Sequence, residues 1–215
     1  MENDVAITLG FPQGGTKIDR RTKGAEDTTL LEDWKAGLKM DDLNITPMQL
    51  CKAMLAYKEG WEWFKRHLAL LITTMFLEST ATGYVNTYMI NNFADVTKIA
   101  DLNWCEYVLR SLVDSKVAWA KKTSQKFTGP IVFLTVFYVD RLVVYRRSVP
   151  RTFLAFKGWD THLLNKREKA EISSGGFGYG YIDDPQELPY LNEEKKSDEC
   201  EEELQVTSTN TMSCN

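Results

Sequence analysis

FTGPIVFLTVFYVDRLVVYRRSVPR, Phe127 to Arg151, decides how the rest of the chain is read. It opens on a Gly-Pro step, runs through the apolar or near-apolar stretch Ile131–Val139, and ends among arginines. Four readings compete: a membrane anchor, a core strand, a core helix, or the edge of a nucleic-acid site. A bilayer asks for about 20 apolar residues, and this run supplies about half of them before Asp140 closes it. The other apolar run, Leu68–Leu77, is equally short and is closed by Glu78. Neither spans a membrane. Taken alone, the β-branched and aromatic composition of IVFLTVFYV favours a strand. Gly129-Pro130 argues for a helical start instead, and a lone strand has nothing to pair with.

The neighbouring segments all read as helices. In NITPMQLCKAMLAYKEG, Thr46 caps, Pro47 suits the first helical position, and Gln49 completes a capping box. Leu50, Met54 and Tyr57 share a face, and Gly60 ends the segment. WEWFKRHLALLITTMFLEST is apolar nearly all round from Leu68, the pattern of a central helix surrounded by others. Asn86 is placed to cap a short helix through Phe93. Asn103 and Glu106 form a second capping-box pair. Cys105, Val108, Leu112 and Trp119 follow at helical spacing, with Leu109 and Val113 beside them. Asp160 caps a further short helix. With helices on every side, the opening stretch is expected to be a buried helix.

Composition limits the flanks. At 43% hydrophobic and 12% aromatic, the 215 residues can build a real core. Charge is uneven. From Asp183 onward ten carboxylates face two lysines, a balance of −8, which leaves +4 on residues 1–182 of a chain whose total is −4. Residues 1–30 are polar and aperiodic and read as a disordered lead; 183–215 read as a disordered acidic tail. No basic stretch followed by an apolar one opens the chain, so no secretory signal is expected and the protein reads as intracellular.

Little chemistry is visible. Cys51, Cys105, Cys200 and Cys214 have neither zinc nor disulfide spacing. Cys51 and Cys105 read as core residues. His67 reads as a boundary residue and His162 as a surface one. Gly14-Gly15 lacks the G-K-[ST] of a phosphate loop, and GGFGYG (Gly175–Gly180) sits in no βαβ unit, so it reads as a flexible exit from the domain. The basic set Arg141, Arg146, Arg147, Arg151 and Lys157, interleaved with Tyr145 and Phe153, has the composition of a phosphate or single-strand contact. It is equally that of a solvated face beside a core helix.

The order of motifs carries a resemblance over residues 60–182. S-x-x-x-G-Y-V-N (Ser79–Asn86), D-L-N-W opening a helix (Asp101–Trp104) and G-P-x-x-F-L ending in Y-V-D-R (Gly129–Arg141) follow one another. This layout resembles the region preceding the peptidase in plant transposon-derived, SUMO-protease-like proteins of the ubiquitin-like-protease family. It is similar in layout to the plant mobile domain. The resemblance implies an all-α fold and places any peptidase in a separate domain.

The chain is therefore expected to be all-α, with a single orthogonal helical domain over 31–182 between the disordered lead and tail. The expected role is a non-enzymatic interaction domain derived from a plant mobile element, with the nucleus favoured and no cofactor, metal, membrane or small-molecule substrate. Its protein partner is unknown. Two rivals stand beside it: a peptidase-less remnant of a SUMO-protease-like protein, and a basic nucleic-acid-binding module using the five cations.

Overall fold

The computed structural model describes residues 1–19, 29–39, 44–56, 61–121 and 126–187. The all-α expectation holds. Among the described residues seven α-helices carry the fold: α1 (Glu2–Leu9), α2 (Thr29–Leu38), α3 (Pro47–Ala56), α4 (Trp61–Ile72), α5 (Trp104–Ala120), α6 (Ile131–Arg141) and α7 (Thr161–Ser173). A two-residue ribbon, β1 (Leu142–Val143) antiparallel to β2 (Tyr181–Ile182), is the one sheet among the described residues. The chain divides into two compact units, the first Met1–Tyr138 and the second beginning at Val139. The division falls inside α6.

In the first unit Thr46 and Asn103 cap as expected, whereas Asn86 makes no side-chain cap bond to the 3₁₀ helix Thr87–Phe93. The Thr46 backbone N–H donates to Gln49 Oε1 at 2.8 Å, and the Gln49 N–H returns to Thr46 Oγ1 at 3.3 Å. Asn103 Oδ1 accepts from the Glu106 N–H at 2.9 Å. The Glu106 carboxylate instead faces Lys17 and Arg110, each at 3.5 Å. Leu134 N–H bonds to the Pro130 carbonyl, so Gly129-Pro130 does start α6.

The core of this unit is aromatic and aliphatic. Trp104 stacks between Phe11 at 5.8 Å and Phe93 at 6.0 Å and meets the edge of Tyr107. Leu50, Leu70, Leu77, Met89 and Ile90 close around them, fully buried. Arg66 is buried. Its guanidinium donates to the Phe93 and Ala94 carbonyls at 3.0 and 2.7 Å, satisfying the end of the 3₁₀ helix Thr87–Phe93.

Two expectations need correction here. The lead is not disordered over residues 1–19. Val5 (0% exposed), Ala6 and Ile7 of α1 pack on α5, and Ile18 is equally buried. Its polar composition hid a helix of only eight residues, too short to show periodicity. Residues 20–28 lie outside the described residues. Gly15 explains the Gly-Gly pair: at φ +88° a Cβ there would come 2.1 Å from the Asp101 carbonyl oxygen. Finally, α4 is not enclosed. A π turn, Thr73–Leu77, shifts the register at its end, leaving Met75 and Phe76 50% and 45% exposed.

In the second unit, α7 starts at the expected cap, with the Leu163 N–H on Asp160 Oδ1 at 2.7 Å. The glycine-rich stretch leads into β2 rather than out of the domain. Gly180 approaches Val143 so closely that a Cβ would lie 2.3 Å from its carbonyl oxygen. The expected acidic tail is tied down at its start. The Asp183 N–H bonds to the Arg141 carbonyl, and the Arg141 Nε donates back to the Asp183 carbonyl, both at 2.8 Å. Residues 188–215, with Cys200 and Cys214, lie outside the described residues, as do Tyr57 and Gly60.

Candidate functional site

The five cations proposed for nucleic acid do not form one free patch. Asp140, 4% exposed, lies between Arg151 Nε at 3.1 Å and Arg147 Nη1 at 3.6 Å. Arg147 Nη2 also reaches Asp183 Oδ2 at 2.6 Å and the Asp140 carbonyl at 2.8 Å. That hydrogen bond, with the Arg147 and Arg151 charges, holds the Asp183 carboxyl below the usual carboxylate range. Arg141 is bonded to the Asp183 carbonyl and Arg151 to that of Asp184. Each of these guanidinium groups already donates to protein oxygens, and the Asp140 and Asp183 carboxylates offset the charge of Arg147 and Arg151. Arg146 and Lys157 are exposed. The sequence could not separate these cases, because the pairing carboxylates stand up to 36 positions away from their arginines.

His67 and Cys105 of the first unit are engaged in its packing. His67 is a core residue, not a boundary one: the Trp34 indole N–H donates to its Nε2 at 2.9 Å. Burial, helped by the Arg66 charge, lowers its pKa from 6.5 to about 4, so it is neutral at physiological pH. The Cys105 thiol contacts the Phe11 carbonyl at 3.3 Å and is pushed up to about 12 by burial and by Glu2. It is no thiolate nucleophile. His162 is exposed, as expected, and Cys51 is half-buried.

What the sequence reading missed is a pair of apolar grooves in the first unit. The larger, about 590 Å³, runs between α4 and the segment 96–100. Leu68, Ala69 and Ile72 form one wall, Val96, Ile99 and Ala100 the other, and Trp104 with Phe11 the floor. The Trp104 indole N–H is already bonded to the Ile99 carbonyl at 2.8 Å, so the floor offers no free donor. Lys65 is the one charged residue in the lining, its Nζ 5.3 Å from the Trp61 ring centroid. The second groove, about 470 Å³, lies where α5 meets α6 and is lined by Leu112, Lys116, Trp119, Phe127, Ile131 and Leu134. The face of α5 expected to be core is therefore covered only in its first half; Trp119 is 60% exposed. The available signal was surplus. Trp61, Phe64, Leu68, Met75 and Phe76 are more apolar groups than one buried helix stripe needs.

These grooves hold no reactive constellation, and among the described residues no cluster of His, Cys, Asp and Glu is arranged to hold a metal. Nor is any described helix long and apolar enough to cross a membrane. A family model whose description reads domain of unknown function (DUF8566) matches residues 1–135. Its span ends three residues short of the first unit's boundary at Tyr138 and includes the helical lead. No curated protein and no solved structure matches the chain.

Proposed function

Since the chain belongs to the family described as a domain of unknown function (DUF8566), we propose that its first unit is a non-enzymatic protein-interaction domain. The observation that carries this reading is the arrangement of exposed apolar side chains. Leu68 opens into one apolar groove and Trp119, Ile131 and Leu134 line a second, and contiguous apolar surface of this kind marks docking sites. The positions of His67 and Cys105 support it further, since both are consumed by packing. Mobile-element ancestry and a nuclear address remain part of the proposal and rest on the motif resemblance over residues 60–182.

The nucleic-acid reading is the rival, and Arg146 beside the exposed Tyr145 is what it retains. One experiment separates the two. The full chain is panned against a display library of fourteen-residue helix-forming peptides, and in parallel titrated with labelled DNA and RNA across salt concentrations. Peptides that bind the folded chain and not the urea-unfolded one are the expected result. Steeply salt-dependent nucleic-acid binding with no peptide recovered would replace the proposal by its rival.

A further inference from the structure

The larger groove has a shape and a charge that specify its occupant more closely, granted the interaction-domain reading. Trp61, Lys65, Leu68 and Ile72 recur at i, i+4, i+7 and i+11 and so lie along one face of α4. Of these, Lys65, Leu68 and Ile72 line the trough, a span of about 10 Å or roughly two helical turns. Leu68 is 39% exposed, so the wall is open to solvent at its middle. Opposite it stands a second apolar wall that includes Ile99. A trough of this length between two apolar walls matches the way an amphipathic helix lays its apolar face into a groove.

The charge is as informative as the shape. Among the described residues no carboxylate pairs with Lys65; its described contact is the Trp61 ring. A cation at the edge of an apolar trough discriminates against basic partners and favours a carboxylate placed beside apolar anchors. We infer that the trough between α4 and residues 96–100 receives an acidic amphipathic helix from another protein. Its apolar side chains would rest on Leu68, Ile72 and Ile99, and an aspartate or glutamate would meet Lys65.

The peptides recovered by panning the full chain are the probe, measured by fluorescence anisotropy. The expected sequences share apolar residues at i, i+3 or i+4 and i+7 with an acidic residue alongside. Leu68→Asp should weaken their binding about tenfold or more, since a charge is set in the apolar contact. Lys65→Glu, at the groove edge, should weaken it about fivefold, and exchanging the peptide's acidic residue for lysine should restore it. Circular dichroism and thermal unfolding of both variants verify that the fold is kept. Peptides that bind Leu68→Asp normally and lose binding to Leu134→Asp would overturn this inference while leaving the interaction domain intact, because they would occupy the α5–α6 groove. Dodecanoate that binds the trough and is not displaced by the peptides would overturn it in favour of a small-molecule site. Recovery of no peptide at all would sink both readings.

Discussion

Phe93 in the first unit and Asp140 in the second are both almost wholly buried, and they hold their surroundings by opposite physics. Phe93 is enclosed by apolar neighbours and stacks 6.0 Å from Trp104. Its contribution is area removed from water and dispersion contact, neither of which depends on salt. Asp140 is enclosed by arginines at 3.1 and 3.6 Å, and the same arginines reach the Asp183 side chain and the Asp184 carbonyl. Its worth is the difference between Coulomb attraction and desolvation, two large terms of opposite sign. The second unit has few apolar residues to bury, chiefly Val139, Leu142, Val143, Val149 and Ala155. Arginines there serve as cross-links. A second ion pair, from Arg167 to the buried Glu171, repeats the device, with Arg167 Nη2 also on the Leu142 carbonyl at 2.7 Å.

The sharpest test of this contrast is Phe93→Ala. It should cost about 3–5 kcal/mol, read as loss of hydrogen-exchange protection across the first unit, with equal effect at low and high salt. A salt-dependent loss would break the comparison on its first side. Asp140→Ala should cost about 3 kcal/mol by stranding two guanidinium groups. Exchange protection should fall in residues 139–187, and molar salt should shrink the difference from the unsubstituted chain. Protection unchanged there would mean that the apolar residues suffice.

Acid should separate the units as well. His67 has a folded pKa of about 4 against an ordinary 6.5, so between those values the unfolded chain binds the extra proton more readily. The first unit should therefore be at full stability above pH 6.5 and lose up to about 3 kcal/mol as pH falls to 4, with no further loss from this group below that. Asp183 has a folded pKa below its ordinary range, so its contribution persists through that window and fades only at lower pH. Urea midpoints followed by exchange in each unit at pH 7, 5 and 3 test the order; a second unit that weakens first would contradict it. Asn103→Ala and Asp160→Ala should cost about 1 kcal/mol each, since a helix cap is local and indifferent to the kind of core beneath it. Arg146→Ala should change stability by less than about 0.5 kcal/mol, because the side chain is exposed.

Where the sequence was legible, the interactions were short in range. Thr46 with Gln49, the Asn103 cap, Asp160 with Leu163 and the Gly129-Pro130 start are all settled within four residues and formed as read, while the Glu106 side chain turned to Lys17 and Arg110 instead of closing its box. The helical reading of IVFLTVFYV also held, because its strand propensity had no partner strand to act on. Where the reading failed, the deciding partner was remote. Residues 1–19 looked like a lead until Phe11 met Trp104 and Cys105 met the Phe11 carbonyl. His67 looked like a boundary residue until Trp34 reached it. The candidate site was the least legible part. An apolar run names a helix but not which of its faces stays open, and the π turn after Ile72 moves Met75 and Phe76 off the buried side.

By itself the sequence determined the all-α class, the starts of four helices and the helical state of the deciding stretch. Local capping, backbone restriction and the short-range geometry of the helix are enough for that. Only the tertiary structure decided which arginines are cross-links, which apolar groups remain as groove walls, and where the first unit ends. Those outcomes depend on which side chains meet across dozens of residues, through the pairing of charges and the burial of surface.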